Sequence, residues 1–516
     1  MKVTFYGSTG NCGKPTLPML LELDFIEKIT IMVHNQTKTF KKLEKKYKDK
    51  LVVIKGNLGN IDDVRKTLGD SDFVINMAAV IPPKSDKHHD LAMEANVTGV
   101  KNIIQAIEEK GDKQPKLVHY STIAVYGDRN EKHLWLEAGD PLIPSPFDLY
   151  AASKIRGEYA VLESNIKDWA VLRQTAVVYD EMLMKNVSDG LMFHTAFNCP
   201  LEWVTAHDTG VMMKNMLIRE NKGELNENNF WKHIFNIGGP AENRLTGYDF
   251  IDKSFSIIGG STAKFFRPGY NICRNFHGEW FSDGYKLNDL FDYQKTTVDE
   301  FWKQFIKKNP IFSAGKIVPP SLIRKLVIDP LRKDSNAPAY WYKEGNMAQI
   351  TAYFGSKERY DELQSFGKDW SKFPLLCKGK NLKNEDVDYD EIRSNPTRVN
   401  HHWDFDKKDE DIDINDLKTV AEAHGGKLLS KEFTKGDMYS KVLWENQDGV
   451  QFEARPYTIL RGGHWMNPIY TEFVWDYDRL SKKDKMMAEV WYDAHDKDEN
   501  HTYYFDENEE ARMKDF

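Results

Sequence analysis

Cysteine is scarce in this chain: four in 516 residues, at Cys12, Cys199, Cys273 and Cys377, far apart and without a Cys-x-x-Cys pair. Such spacing offers neither a disulfide framework nor a set of zinc ligands, so no metal site is expected and a reducing, cytoplasmic setting fits best. No apolar run approaches the roughly 18 residues of a membrane span, and mean hydropathy is −0.60, so no span is expected. The opening Met1-Lys2-Val3-Thr4-Phe5-Tyr6-Gly7 reads as the first strand of a fold, with neither the apolar stretch nor the cleavage site of a secretory leader. Excess positive charge is lacking too. Lysine and arginine number 71 against 79 aspartates and glutamates; residues 1–310 balance to zero and residues 311–516 carry the whole net charge of −8. An acidic chain of this kind is a poor general binder of nucleic acid. Hydrophobic residues at 41% provide for a large buried core, and the length suits about three domains.

What is present is alternation. Short apolar runs at 3–6, 28–33, 51–54, 73–76, 117–121 and 169–173 alternate with helical stretches such as 94–109 and 149–164, the pattern of a parallel sheet flanked by helices. A later strand is expected at 233–237. The first run leads straight into Gly7-Ser8-Thr9-Gly10-Asn11-Cys12-Gly13 and then a helix. Glycines there permit a tight turn and bring backbone N–H groups close to a pyrophosphate at the positive end of the helix. Gly7, Thr9, Gly10, Asn11, Cys12 and Gly13 are therefore expected to bind a dinucleotide. At the end of the second strand, where NAD-binding sheets usually carry a carboxylate for the ribose, stands His34-Asn35-Gln36-Thr37-Lys38. His34 and Lys38, with Asn35 between them, suit a 2′-phosphate instead, which favours NADP over NAD as the cofactor. Tyr150-Ala151-Ala152-Ser153-Lys154 sets Tyr150 and Lys154 on one helical face. A free phenol titrates at about 10, and a neighbouring ammonium favours the phenolate and lowers that value. Ser121-Thr122 ends a strand and offers hydroxyls to a carbonyl or alcohol oxygen.

Taken in order, the glycine loop, Asn76-Met77-Ala78-Ala79, Asn96-Val97-Thr98-Gly99, Ser121-Thr122 with Val125-Tyr126-Gly127, and Tyr150-x-x-Ser153-Lys154 resemble the extended short-chain dehydrogenase/reductase family, in its NAD-dependent epimerase/dehydratase branch. The resemblance continues through Leu172-Arg173, His207-Asp208 and Phe235-Asn236-Ile237-Gly238 to Glu300-Phe301, covering residues 1–310. It implies an α/β fold: a Rossmann-type doubly wound parallel sheet with a small substrate-binding subdomain. It implies Tyr150 as general acid/base, Lys154 as the residue that tunes it and binds the nicotinamide ribose, and Thr122, with Ser121 beside it, as the substrate-orienting hydroxyl. It further implies Asn57 and Leu58 beside the adenine, although Asn57 stands where the family usually has Asp. Ala78 and Ala79, after Asn76, would line the cofactor, and Gln174 and Thr175 would lie beside the nicotinamide. Sugar-nucleotide dehydratases resemble one another in having Asp-Glu after the Ser-Thr pair. This chain has Ile123-Ala124 there, so their elimination chemistry is not expected. Apolar Met182, Leu183, Met184, Leu191, Met192 and Phe193 follow in the substrate-facing region. The reading is an NAD(P)-dependent oxidoreductase that interconverts a ketone and a secondary alcohol on a hydrophobic small molecule; the alternative is a sugar-nucleotide epimerase with tightly bound NAD.

Beyond residue 310 the pattern changes. Residues 311–420 are expected to form an irregular or helical connection, and 421–516 a small β-rich domain with strands at 441–444, 451–454 and 470–475; together they make a C-terminal α+β accessory region. Gly425-Gly426, Trp444 to Phe452 and Gly463-His464-Trp465-Met466 resemble a degenerate zinc-ribbon module, with Leu428, Asn446, Val450, Met466 and Ile469 at or near ligand positions. None of these supplies a thiolate or imidazole, so the resemblance implies a metal-free relic whose apolar substitutes fill the vacated site. A cap over the active site, an oligomer contact and a partner dock are all open roles for this region, and a homo-oligomer is left open.

Overall fold

The computed structural model describes residues 1–35, 38–130, 132–186 and 189–505, the side chains of 38, 39 and 186 excepted. Seven parallel strands form the central sheet: β1 (Lys2–Tyr6), β2 (Lys28–Val33), β3 (Leu51–Lys55), β4 (Phe73–Asn76), β5 (Lys116–Thr122), β6 (Trp169–Gln174) and β7 (His233–Ile237). They lie in the order β7-β6-β5-β4-β1-β2-β3. A sheet covered on both faces needs mainly apolar residues along its strands, and Val3, Phe5, Ile29, Ile31, Val74, Ile75 and Leu172 are all wholly buried. The chain winds one way from β1 to β3 and the other way from β4 onward. The crevice at the carboxyl ends of β1 and β4 is the place where such sheets bind ligands.

Helix α1 (Gly13–Leu21) covers one face of the sheet, beside the helix Ala206–Asn221. The basic helix α2 (Lys38–Lys46) follows β2. On the other face lie α3 (Gly99–Glu108) and α4 (Leu149–Leu162), which carries the Tyr-Lys pair. The stretch expected as a single helix from 94 to 109 opens instead with a π turn, Glu94–Thr98, before α3 begins. Its wholly buried Asn96 exchanges hydrogen bonds with both backbone groups of Val80, at 2.9 and 3.0 Å, and donates to Ser153 Oγ at 2.9 Å. One amide thereby ties the segment after β4 to α4. A smaller sheet of Ala176–Val178, Pro200–Thr205 and Arg244–Thr246 packs with α5 (Gly247–Ser256) and α6 (Val298–Lys308) to build the second lobe.

Residues 311–505 wrap around both lobes. Trp341 and the helix α7 (Met347–Phe354) share a core with Phe193, Phe197 and Trp302 of the second lobe. Strands β8 (Val442–Glu445) and β9 (Gln451–Ala454), with Lys427–Leu428, form an antiparallel sheet. Its Trp444 and Phe452, with Tyr457 and Trp465, join the core that includes Val161, Leu162 and Trp169 of α4 and β6. Of the segment 421–516, the described residues 421–505 are less β-rich than expected, since Pro456–Leu460, Tyr477–Leu480 and Lys485–Trp491 are helical. Pro468 starts a 3-10 turn within the expected 470–475 strand, leaving only Val474–Trp475 extended, paired with Tyr503–Tyr504. The expectation that apolar substitutes fill a vacated metal site fails at Val450, which is 52% exposed. There Asn446 does the joining by hydrogen bonds, accepting from the Val450 N–H at 2.9 Å and donating to the Met466 carbonyl at 3.1 Å. Among the described residues, no helix is long and apolar enough to cross a membrane.

Candidate active site

The glycine loop turns directly from β1 into α1. Gly7 has φ +84°, and a β-carbon on it would stand 2.4 Å from the Ala78 nitrogen; on Gly13 one would stand 2.2 Å from the Gly7 carbonyl oxygen. Only glycine lets these three backbone stretches close on one another. Gly10 is exposed, and Gly10 N–H donates to the Gly7 carbonyl at 3.0 Å. Cys12, at the helix cap, makes no capping hydrogen bond through its side chain; Lys14 N–H donates to the Gly10 carbonyl at 3.0 Å and Pro15 has no N–H, so an anion at the first turn of α1 would meet the Gly13 N–H. Burial pushes the Cys12 thiol up to about 12, so it stays neutral. Tight glycine packing that turns β1 directly into the start of α1 is the form of loop that fits the diphosphate of a dinucleotide.

The other expected cofactor residues surround this loop unevenly. Thr9, His34 and Asn35 are exposed, the latter two just past β2, and the Lys38 side chain is outside the described part. Asn57 is already engaged: its Nδ2 donates to Glu94 Oε1 at 2.6 Å, while its Oδ1 accepts from Gly59 N–H at 3.1 Å. Leu58 holds its place through its carbonyl, which accepts from Asn102 at 2.7 Å. Ala78 and Ala79 are half-buried, with Ala78 N–H donating to Asn76 Oδ1 at 3.2 Å. Strand register puts Thr122 beside Gln174. Gln174 Oε1 is buried without a hydrogen-bond partner, whereas the Thr175 hydroxyl is spent on the Glu202 carbonyl at 2.5 Å.

Tyr150 and Lys154 lie in the first two turns of α4, which Asp148 caps by accepting from Ala151 N–H at 2.9 Å. The Thr122 hydroxyl accepts from Ala124 N–H at 3.2 Å and favours the ionised form of the Tyr150 phenol nearby. Ser121 does not join it. Adjacent strand residues point to opposite faces, and Ser121 Oγ is buried without a hydrogen-bond partner. Burial pushes the phenol up to about 12, with Thr122 acting against that shift and the Asp148 carboxylate adding to it. The sequence led us to expect Lys154 to lower this value. Its ammonium is instead wholly buried and donates to the Tyr120 carbonyl at 2.6 Å, and burial pushes it down to about 8, against the pull of Glu158. The lysine is a weaker cation here than one in water, while the phenol pays the cost of its own desolvation.

The phenol opens on a cavity of about 850 Å³, within the size range of small-molecule sites. One wall is Tyr179, Met182, Leu183, Leu191 and Met192. Four of the six apolar residues expected there do line it; Met184 is 57% exposed and Phe193 sits in the core. Trp203, stacked on Phe250 at 3.5 Å, and Phe255, Phe266 and Trp302 add a second wall. The third wall is of the kind left open as a cap over the active site, though none of its residues was named in advance. It comes from the carboxy-terminal region, as Asn336, Trp341, Gln349, Tyr353, Tyr504 and Phe505. Aromatic density at 338–360 was the available signal, but a sequence does not say which surface such a segment covers. Polar groups gather near Tyr150: the Asp148 carboxylate lies 3.4 Å from His277 Nδ1, and Ser145 Oγ is buried without a hydrogen-bond partner. No arginine lines the cavity among the described residues.

A doubly wound sheet with a glycine cradle at its switch point and a Tyr-x-x-x-Lys helix beside it defines the class: a dinucleotide-binding α/β protein of the short-chain type. Residues 3–173 match the NAD dependent epimerase/dehydratase family. A curated relative, 3beta-hydroxysteroid-dehydrogenase/decarboxylase isoform 1 of Arabidopsis thaliana, is 32% identical over 112 residues, 22% of this chain. The matched stretch spans 25% of that relative's length. Among solved structures, a dTDP-glucose 4,6-dehydratase from Bacillus anthracis in complex with NAD has 18% identity and a TM-score of 0.47, over 60% of this chain and 98% of that one. A mutant of the dehydratase DesIV from Streptomyces venezuelae, with NAD bound, has 18% identity and a TM-score of 0.48 over the same shares.

Proposed function

We propose that this protein is an NAD(P)-dependent oxidoreductase that interconverts a ketone and a secondary alcohol on a hydrophobic small molecule. One observation carries the reading: the Tyr150 phenol lines a cavity walled by aromatic and aliphatic side chains. A sugar nucleotide would bring a diphosphate into that space, and among the described residues the ammonium groups at its lining come only from Lys84 and Lys185. The relative from Arabidopsis thaliana, by its name, acts on a hydroxysteroid, and the apolar walls favour a substrate of similar character.

When bound, the nicotinamide cofactor supplies the hydride donor or acceptor. Gly7, Gly10 and Gly13 would hold its diphosphate against the start of α1. Asn57, Leu58, Ala78 and Ala79 would flank the adenosine half, and Gln174 and Thr175 the nicotinamide. At neutral pH a phenol pushed up to about 12 keeps its proton, so Tyr150 is set to give that proton to a carbonyl oxygen. Lys154, on the buried side of α4, anchors the helix to β5 through the Tyr120 carbonyl and would bind the nicotinamide ribose. His34 and Lys38, with no carboxylate beside them in sequence, favour NADPH over NADH. The test is to titrate NADPH and NADH separately, then follow cofactor oxidation with apolar ketones and with sugar nucleotides. Turnover with ketones and tighter NADPH binding are expected; turnover with sugar nucleotides alone would reverse the substrate assignment.

A further inference from the structure

Residues 310–331 expose what a folded chain usually hides. A 3-10 stretch, Pro310–Ile317, leads through Pro319 into a continuous helix made of Pro320–Ile323, a π turn Arg324–Ile328 and Asp329–Leu331. Ile328 is wholly buried, and Ile323, Val327 and Leu331 pack against the main core. The opposite face of a surface helix should be polar. Here Leu322 and Leu326, four residues apart on one face, are 44% and 64% exposed, and Ile311 and Ile317 just before them are 79% and 85% exposed. Four of the ten exposed large hydrophobic residues fall within these sixteen positions.

The charge around them is reversed relative to the chain. Residues 303–333 hold eight lysines and arginines against a single acid, Asp329, in a protein of net charge −8. Lys303, Lys307, Lys308, Lys316, Lys325 and Lys333 are exposed. The stretch is also fixed in place. The Phe312 ring packs on Phe305 of α6 at 5.3 Å, and a β-carbon on Gly315 would stand 2.8 Å from Ile258. Apolar side chains set among cations on a firmly held surface element match the interface of an anionic bilayer, where aliphatic groups enter the acyl boundary and lysines meet the headgroups.

We infer that residues 310–331, with the lysines at 303–308 and 333, form a docking surface for an anionic membrane. The protein would lie on the bilayer without crossing it. The same α5–α6 layer supplies Phe255 and Trp302 to the cavity, so docking would bring the cavity wall close to a phase in which apolar molecules gather. The docking itself does not depend on the proposed reaction.

Sedimentation of the full chain with vesicles tests this. Binding to phosphatidylcholine–phosphatidylserine vesicles is expected, falling at high salt and at least tenfold weaker on phosphatidylcholine alone. The set Ile311→Ser, Ile317→Ser, Leu322→Ser and Leu326→Ser, and separately Lys316→Glu, Lys325→Glu and Lys333→Glu, should each reduce binding at least tenfold with an unchanged thermal midpoint. Failure of the unmodified chain to bind the anionic vesicles would overturn the inference. So would binding that both variants retain, or a self-association that the serine set abolishes, which would make the occupant a second copy of this chain.

Discussion

Replacing Glu158 by glutamine removes the anion that holds the carboxy-terminal region to α4. Glu158 lies one turn beyond Lys154 on α4 and is wholly buried. Its carboxylate accepts from Arg173 Nη2 at 2.5 Å and Nε at 3.2 Å, and is 2.9 Å from His464 Nε2. Arg173 also donates to the Tyr126 hydroxyl at 2.5 Å and to the Gly462 carbonyl at 2.6 Å. Burial works against the charge, yet the guanidinium and imidazole hold the Glu158 carboxyl well below the usual carboxylate range. Taking one partner from a buried pair costs about 3–5 kcal/mol, because the other charge keeps its desolvation without its counter-charge. A loss of that size is a large share of a typical stability of about 5–15 kcal/mol. Chemical denaturation followed by tryptophan fluorescence should show it, and a Glu158→Gln/Arg173→Met double variant should lose less than the two single changes summed. Hydrogen exchange should quicken at 456–470, where Gly462 and His464 lose their anchor. Burial also holds His464 below its ordinary value. Its share of stability is therefore full above about pH 6.5 and is lost as pH falls toward the folded value. A stability loss under about 1 kcal/mol, the level of an exposed pair, with unchanged exchange at 456–470, would refute the reasoning.

Three further outcomes follow from particular contacts. Gly13→Ala puts a methyl 2.2 Å from the Gly7 carbonyl oxygen, so NADPH affinity measured by nucleotide fluorescence should fall at least tenfold; unchanged affinity would put the diphosphate elsewhere. Burial pushes the Asp128 carboxyl up to about 7. Its contribution to stability is full at low pH and is lost as pH rises to that value. Asp128→Asn should therefore gain on the unmodified chain by about 1.4 kcal/mol per pH unit between pH ~4 and ~7, then level off; a pH-independent difference would contradict this. Tyr504, at the cavity mouth and 64% exposed, is expected to contribute contact to an apolar ketone without supporting the fold. Tyr504→Ala should raise KM about tenfold, the equivalent of about 1.5 kcal/mol of apolar contact, while the thermal midpoint stays put.

Much of the amino-terminal part was legible because its signals are local. The runs at 28–33 and 233–237 are strands as read, since their Ile, Val, Met and Phe side chains suit a largely buried strand, with Thr30 and Asn236 as buried polar exceptions. The loop Gly7–Gly13 was legible because its glycines answer steric demands imposed by neighbours close in the fold. Other features depend on distant partners. The shift of Tyr150 reflects burial beneath three parts of the chain, which the spacing of Tyr150 and Lys154 cannot reveal. The opposite facing of Ser121 and Thr122 follows from strand alternation and was overlooked by treating them as a pair. Trp341, Tyr353 and Tyr504 lie far along the chain from Tyr150, and His464 reaches Glu158 across 306 positions. No periodicity encodes such meetings.

The central claim is that Tyr150 moves the proton of a ketone–alcohol interconversion in the apolar cavity. The most direct measurement compares NADPH oxidation by the unmodified chain and by Tyr150→Phe on the same apolar ketone, with cofactor affinity recorded for both. Loss of a positioned general acid should lower turnover by about 10²–10⁴-fold while cofactor binding is unchanged. Full turnover by Tyr150→Phe would contradict the account.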